Sequence, residues 1–125
     1  MTTPPNFQFT ESHEWFNIDG DTVTIGITQF AANELTDITY VELQDTGTSI
    51  GSGESLGEVE SVKTTSDVHS VFSGEIIETN DAVVDDPSLL NSDPYGSGWL
   101  VKLKVADTAV DGLMDQTTYD SKYPA

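Results

Sequence analysis

Short runs of alternating apolar and polar residues fill the chain, and turn-forming residues interrupt them at intervals of roughly eight to twelve positions. This spacing is typical of an all-β sandwich or barrel. The segment WFNIDGDTVTIGI predicts two strands joined at Asp19-Gly20, because Val23, Ile25 and Ile27 alternate with polar residues after the turn. The segments ITYVELQDTG, SVFSGEIIETN and WLVKLKV predict further strands.

Helical spacing is confined to short segments. TQFAANELT predicts a helix with Thr28 as its N-cap and an apolar face that ends at Leu35. Pro87 is placed to begin a short helical turn, and the tail DGLMDQTTYDSKY predicts a last short helix. We therefore expect one mostly β domain over residues 1–125 with two or three short helices, preceded by a flexible extension at residues 1–8.

Charge and composition narrow the classes of function. The 125 residues include 22 carboxylates, four lysines and no arginine, which gives a formal net charge of −18. Such a charge disfavours binding to nucleic acid or to an anionic membrane surface. The chain has no cysteine, no signal-peptide pattern and no apolar stretch near the roughly 18 residues of a membrane span. We expect a cytoplasmic monomer that contacts neither nucleic acid nor membrane.

No motif of a self-sufficient active site or metal site is present. The only histidines, His13 and His69, are too far apart in sequence to suggest a zinc site. NIDGDTVTIG lacks the acidic spacing of a calcium loop, and the glycine-rich GTSIGSGESLG lacks the lysine of a phosphate loop. No nucleophile elbow surrounds any serine. We therefore expect a protein that is not an enzyme by itself and holds no metal.

One lysine stands alone in this acidic chain. Lys63 lies in EVESVKTTSDV, and the next lysine along the sequence is Lys102. An isolated surface lysine is one interpretation of this position. The other is that its amine is a site of covalent attachment.

The motifs around Lys63 favour attachment. The segments ESHEW, GIT, VEL, VESVK, SDV, SGE, NSDPYGSGW and LMD occur in an order that closely resembles the H-protein of the glycine cleavage system, from about Phe9 to Tyr123. The resemblance implies a flattened barrel-sandwich hybrid, like a lipoyl domain, built of two antiparallel sheets. It also implies that Lys63 carries lipoic acid in amide linkage at the tip of a β-hairpin. Turn chemistry alone does not predict a turn at residues 61–64, which contain no Gly, Pro, Asn or Asp.

The resemblance also implies a set of partners. Lipoylation replaces a cationic amine with a neutral arm that reaches roughly 14 Å from the backbone. In the family, a pyridoxal-phosphate glycine decarboxylase transfers an aminomethyl group to this arm. A tetrahydrofolate-dependent aminomethyltransferase removes the group, and a dihydrolipoyl dehydrogenase reoxidises the arm. A lipoate-attaching enzyme modifies the lysine beforehand.

Further site residues follow from the resemblance alone. Ser12, Glu14 and Asp67 are the expected polar contacts of a cleft that shelters the loaded arm from water. Glu60 and Gly74 are the expected recognition residues for the lipoate-attaching enzyme. Among 22 carboxylates, any one can instead be a solvated surface residue.

The sequence departs from the family pattern in places that do not include the lysine motif. Glu34 occupies a helix position where histidine is frequent, so a histidine role in the cleft is in doubt. Thr36 occupies a position where glycine is common.

Two other classes of protein compete with this interpretation. A biotin carrier, or the lipoyl domain of a 2-oxo acid dehydrogenase, has a similar fold. Biotin carriers favour methionine on both sides of the lysine, where this chain has Val62 and Thr64, and acyltransferase lipoyl domains lack the SHEW and PYGSGW segments. A passive β-sandwich that binds carbohydrate or another protein explains the acidic surface but gives no reason for VESVK.

The net charge of −18 predicts a stability that depends on salt. Self-repulsion destabilises the folded state most at low ionic strength, where screening is weakest. We expect the midpoint of thermal unfolding to rise by several degrees between low and molar sodium chloride. Such a rise would fit our hypothesis that the chain is adapted to a salt-rich cytoplasm, whereas a midpoint that stays constant or falls would contradict it.

Overall fold

The computed structural model describes Pro4, residues 6–107 and residues 112–123. Nine strands and four short helices form this described part of the chain. The strands are β1 Gln8–Phe9, β2 Glu14–Asp19, β3 Thr22–Ile27, β4 Ile38–Leu43, β5 Ser49–Ile50, β6 Ser55–Ser61, β7 Thr65–His69, β8 Gly74–Thr79 and β9 Val101–Val105. The helices are α1 Gln29–Leu35, α2 Asp81–Asp85, α3 Leu89–Ser92 and α4 Gln116–Lys122.

The strands form two sheets. One has six strands in the order β1-β2-β3-β9-β8-β5, and the other has three in the order β4-β6-β7. Every strand pair within them is antiparallel. The prediction of a mostly β barrel-sandwich with two antiparallel sheets is confirmed. None of the helices in the described part of the chain has the length and apolar character needed to cross a membrane.

The hairpin of β2 and β3 forms as the alternating pattern predicts. Asp19 pairs with Thr22, and Gly20 begins the two-residue loop with a φ of +63°, a conformation that glycine adopts without steric cost. Val23, Ile25 and Ile27 are all buried. This face of β3 packs into a core that spans both sheets.

Two clusters of side chains hold the elements together. The larger cluster joins residues of the six-stranded sheet, such as Ile76 and Leu103, to Val41 and Val59 of the three-stranded sheet. The smaller cluster contains Phe9, Trp15 and Tyr119, and so joins α4 to β1 and β2. Burial of these large rings anchors the C-terminal helix.

The four helices exceed the two or three that we expected. Thr28 is the N-cap of α1 as predicted, because its side chain accepts a hydrogen bond from the Ala31 N–H at 3.2 Å. Helix α2 was not predicted, since five residues are too few to show an apolar period. It begins after Asn80, whose side chain accepts from the Ala82 N–H at 3.2 Å.

The expected flexible extension at residues 1–8 needs correction at its end. Phe7 stacks on Trp15 with ring centroids 4.6 Å apart. Gln8 of β1 pairs with Phe16 of β2. An apolar ring covering a buried tryptophan is part of the packed fold. Residues 1–3 and 5 lie outside the described residues.

Thr36 ends α1 in a conformation that disfavours its side chain. Its φ is 65° and its ψ is −139°, a region in which β-branched residues are rare. Its N–H donates to the Ala32 carbonyl at 3.0 Å, which completes the last turn of the helix. A glycine at this position would have no such steric cost.

Replacing Thr36 with glycine should therefore stabilise the protein. Relief of roughly 1–3 kcal/mol of strain exceeds the roughly 0.5–1 kcal/mol of entropy that glycine adds to the unfolded chain. We expect the free energy of unfolding, measured with urea, to rise by about 1 kcal/mol. The control Thr117→Gly, at an exposed position inside α4, should lower it by a few tenths of a kcal/mol. A loss of stability in Thr36→Gly would contradict this account.

Candidate functional site

Lys63 lies at the tip of the hairpin formed by β6 and β7. The last cross-strand pair is Glu60 with Thr65, and the Ser61 N–H donates to the Thr64 carbonyl at 2.8 Å. The expected turn at residues 61–64 is therefore confirmed. Lys63 is exposed, and Val62 beside it has 70% of its surface accessible.

The Ser61 side chain explains how this turn forms without glycine or proline. Its hydroxyl oxygen accepts from the Lys63 N–H and the Thr64 N–H, both at 3.1 Å. The hydroxyl in turn donates to the Thr64 carbonyl at 3.2 Å. A buried serine thus satisfies the backbone groups of the turn, which is the known role of serine in such turns.

The hairpin tip rests against the end of α1. The Val62 N–H donates to the Asp37 carbonyl at 3.1 Å, and the Lys63 Nζ lies 3.4 Å from the Glu34 carbonyl oxygen. Carbonyls in the last turn of a helix lack partners within the helix and attract cations. The amine of Lys63 is therefore held at the negative end of α1.

A cleft of about 140 Å³ opens beside this point, between α1, the start of β2 and strand β7. Ile27, Leu35 and Val59 contribute to its apolar lining. Its polar lining includes the predicted residues Ser12, Glu14 and Asp67, together with His13, Glu34 and Ser66. The structure therefore brings three of the predicted site residues to one cleft next to Lys63.

Glu14 is the buried acid of this cleft, with 3% of its surface exposed. Its Oε1 accepts from the hydroxyls of Thr10 and Ser12, each at 2.5 Å. Its Oε2 accepts from the His69 N–H at 3.2 Å, and the His69 ring nitrogen Nδ1 lies 3.9 Å away. Since a carboxylate has about four lone-pair positions, capacity for one more donor is left. Glu14 also links β2 of one sheet to the end of β7 in the other.

Asp67 and Ser66 contribute to the cleft from opposite faces of β7. Ser66 pairs with the buried Val59 and shares its inner face, whereas Asp67 is exposed and pairs with Glu58. Glu58 in turn pairs with Glu42, so three carboxylates lie in one row across the outer face of the sheet. Ser66 is not among the site residues predicted from the sequence, although it lies two positions before Val68 and therefore on the same face of the strand.

The two residues proposed for enzyme recognition lie apart from each other. Glu60 is exposed on β6, three positions before Lys63. Gly74 lies on β8 in the other sheet, where a Cβ atom would approach the Lys104 carbonyl oxygen to 2.4 Å. Close packing of the two backbones is therefore sufficient reason for glycine at this position.

His13 forms part of the cleft wall between Ser12 and Glu14. It adopts a φ of 70°, and its Nδ1 lies 2.9 Å from the Tyr119 hydroxyl. Burial lowers the pKa of His13 below its ordinary value, while the carboxylates of Glu14 and Glu34 oppose this shift. His13 is therefore mainly neutral at pH 7 and adds no positive charge to the cleft.

Two tyrosine hydroxyls hold the start of α1. The Tyr119 hydroxyl lies 2.7 Å from the Thr28 Oγ1, and burial raises the pKa of Tyr119 well above its ordinary value. The Gln29 N–H donates to the Tyr95 hydroxyl at 2.9 Å. The sequence analysis missed this role of Tyr95, because no local pattern connects DPYGSGW to a helix so distant in sequence.

The sequence and the fold both match one family. The family model for the glycine cleavage H-protein matches residues 7–124. The chain belongs to the glycine cleavage H-protein family. The family resemblance stated from the motifs is therefore confirmed.

Curated H-proteins cover nearly the same length. The chain is 42% identical over 120 residues to the glycine cleavage system H protein of Bacteroides thetaiotaomicron, covering 95% of each chain. It is 43% identical over 118 residues to that of Marinobacter nauticus, covering 93% of this chain and 91% of the relative. The crystal structure of the H protein from Mycobacterium marinum matches with a TM-score of 0.88 at 41% identity, covering 96% of this chain and 98% of the other.

The geometry offers one accessible amine beside a cleft suited to a cation. Glu14, Glu34 and Asp67 contribute carboxylates, and the end of α1 contributes the Glu34 carbonyl that lies near the Lys63 amine. Within the described residues, no group of three or more histidine or acidic side chains could hold a metal ion. The arrangement favours binding and presentation of a group attached to Lys63.

Proposed function

We propose that this H-protein carries lipoic acid in amide linkage on Lys63, and that the whole chain acts as one carrier domain without catalytic residues of its own. Its arm passes an aminomethyl group from a pyridoxal-phosphate glycine decarboxylase to a tetrahydrofolate-dependent aminomethyltransferase. A dihydrolipoyl dehydrogenase then reoxidises the arm. The observation that carries this proposal is the exposed amine at the tip of a fixed hairpin next to a cleft lined by carboxylates.

The residues present fit such a group. The exposed Lys63 is accessible to a lipoate-attaching enzyme, while Ser61 and Asp37 hold the backbone at its base. The cleft of about 140 Å³ equals the volume of roughly five water molecules, so it suits the end of the arm and its cargo. When attached, lipoate supplies two sulfur atoms that accept and release the cargo and can be reoxidised. This explains redox transport by a chain without cysteine.

The chain's own side chains would bind the cationic amine of the cargo. Glu14 has hydrogen-bonding capacity left, and its burial strengthens attraction to a positive charge. Ser12 fixes the Glu14 carboxylate through a 2.5 Å hydrogen bond, and Asp67 adds negative charge at the rim. The apolar wall around Leu35 and Val59 limits access of water to the cargo.

The outer face of the three-stranded sheet supports docking of enzymes with basic surfaces. Glu60 lies there, three residues from the amine, and it is the proposed recognition residue for the lipoate-attaching enzyme. Electrostatic attraction would steer partners to this face and would weaken as salt rises. Gly74, the second proposed recognition residue, would act indirectly by allowing β8 and β9 to pack closely.

The attachment itself is tested by intact mass and turnover. Wild-type protein incubated with lipoate ligase, lipoate and ATP should gain one lipoyl mass, and Lys63→Arg should gain none. Reconstituted glycine cleavage should fall to background with Lys63→Arg, because the arginine side chain cannot form the amide. The matched control Lys102→Arg should behave as wild type. A biotin-sized gain on Lys63, or turnover by Lys63→Arg, would overturn the proposal.

The role of Glu14 is tested by the lifetime of the cargo. Glu14→Gln keeps the shape of the side chain and removes its charge, so the aminomethyl group should be released to water several times faster from the isolated loaded protein. Formaldehyde release measures this rate. Glu58→Gln, which removes one exposed charge from the outer face, is the control and should leave the lifetime unchanged. Equal lifetimes in wild type and Glu14→Gln would contradict the assignment.

A further inference from the structure

The side chain of Asn91 spans the turn that follows α1. Its Nδ2 donates to the Thr36 carbonyl at 2.7 Å, and its Oδ1 accepts from the Ile38 N–H at 3.0 Å. The two bonded groups flank Asp37 on either side. One amide thus fixes the backbone of residues 36–38 at two points.

Two of these three residues, Asp37 and Ile38, contact the hairpin tip. The Asp37 carbonyl accepts the Val62 N–H at 3.1 Å, and Ile38 pairs with Ser61 at the end of β6. Any rotation of the Thr36 or Asp37 peptide groups would move the carbonyl that holds Val62. The orientation of Lys63, the next residue, depends on that contact.

Asn91 is itself fixed to the body of the fold. It lies in α3, where the neighbouring Leu90 is fully buried in the core. The Asn91 carbonyl also lies 3.3 Å from the side-chain nitrogen of Gln29, at the other end of α1. Asn91 therefore acts as a clamp that holds residues 36–38 against a rigid part of the fold.

The strained conformation of Thr36 makes such a clamp necessary. A β-branched residue at a φ of 65° gains energy by rotating to negative φ. Rotation would move the Thr36 carbonyl away from Asn91, so the hydrogen bond opposes it. Asn91 keeps the segment in the one conformation that presents the Asp37 carbonyl to Val62.

We propose that Asn91 is a positioning residue that sets the presentation of Lys63 through residues 36–38 and the Val62 N–H. The inference rests on the proposed function in one respect, namely that Lys63 is the residue modified. Asn91 touches neither the amine nor the arm. Its effect on modification is transmitted through the backbone.

Hydrogen exchange at the Val62 amide tests directly whether Asn91 keeps the Asp37 carbonyl in contact with the Val62 N–H. Asn91→Ala should speed exchange of this amide roughly tenfold, because the Asp37 carbonyl is no longer held in place. Asn33→Ala, on the exposed side of α1, should leave the exchange rate as in wild type. Ile76→Val, a core change in the other sheet, is the control for general loss of stability.

The kinetics of lipoylation test whether Asn91 affects the presentation of Lys63 to the modifying enzyme. Purified lipoate ligase joins lipoate to ATP as lipoyl-AMP with release of pyrophosphate; the Lys63 Nζ then attacks the lipoyl carbonyl, loses a proton and forms the amide bond as the bond to AMP breaks. Asn91→Ala should raise the KM for the carrier several-fold and leave kcat nearly unchanged, since the amine is intact but presented in several orientations. Adding Thr36→Gly should recover part of both effects, because relief of the strain lessens the need for the clamp.

The outcomes separate this inference from the proposed function. Unchanged Val62 exchange in Asn91→Ala, or an equal change in Ile76→Val, would overturn the positioning role. Absence of recovery with Thr36→Gly would contradict strain as its cause. Failure of wild-type protein to gain a lipoyl mass would instead overturn the proposed function, and the exchange data would still decide the role of Asn91.

Discussion

The hydrogen bonds of the Ser61 hydroxyl determine how this protein displays the amine of Lys63. They close a four-residue turn that contains no residue suited to positive φ, and they leave Lys63 exposed above a buried serine. Because the turn is closed from within, the tip keeps its shape without covering the lysine. The Asp37 carbonyl adds one external contact that fixes the direction of the tip. A swinging group attached here would move on a fixed base.

Negative charge is distributed unequally between the two faces of the three-stranded sheet. On the outer face, Glu42, Glu58 and Asp67 lie opposite one another, an arrangement that costs stability. Within the described residues, Lys102 and Lys122 form ion pairs with other carboxylates, Glu78 and Glu11. On the inner side, the buried Glu14 is surrounded by donors. The outer charges therefore suit contact with other molecules, whereas Glu14 is part of the folded architecture as well as the cleft.

The sequence predicted the sheets better than the contacts that shape the site. Alternation of apolar residues located β3, and the N-cap Thr28 with the helical spacing after it located α1, because these signals are local. The motif resemblance located Lys63 and brought Ser12, Glu14 and Asp67 to one cleft. It did not indicate the clamp by Asn91 or the hydroxyl of Tyr95, since both act on α1 from segments more than fifty residues away. Such contacts depend on the packed fold and produce no periodic pattern in the nearby sequence.

The short length of α1 explains why side chains from other segments hold both of its ends. A helix of seven residues is unstable alone, and it forms one wall of the cleft and the platform for Lys63. Tertiary contacts must therefore hold both of its ends. Tyr95 and Tyr119 hold the first turn, and Asn91 holds the segment after the last. These contacts come from the C-terminal third of the chain, although none of the residues that the structure describes there lines the cleft. Segments far apart in the sequence thus act together to position the amine of Lys63.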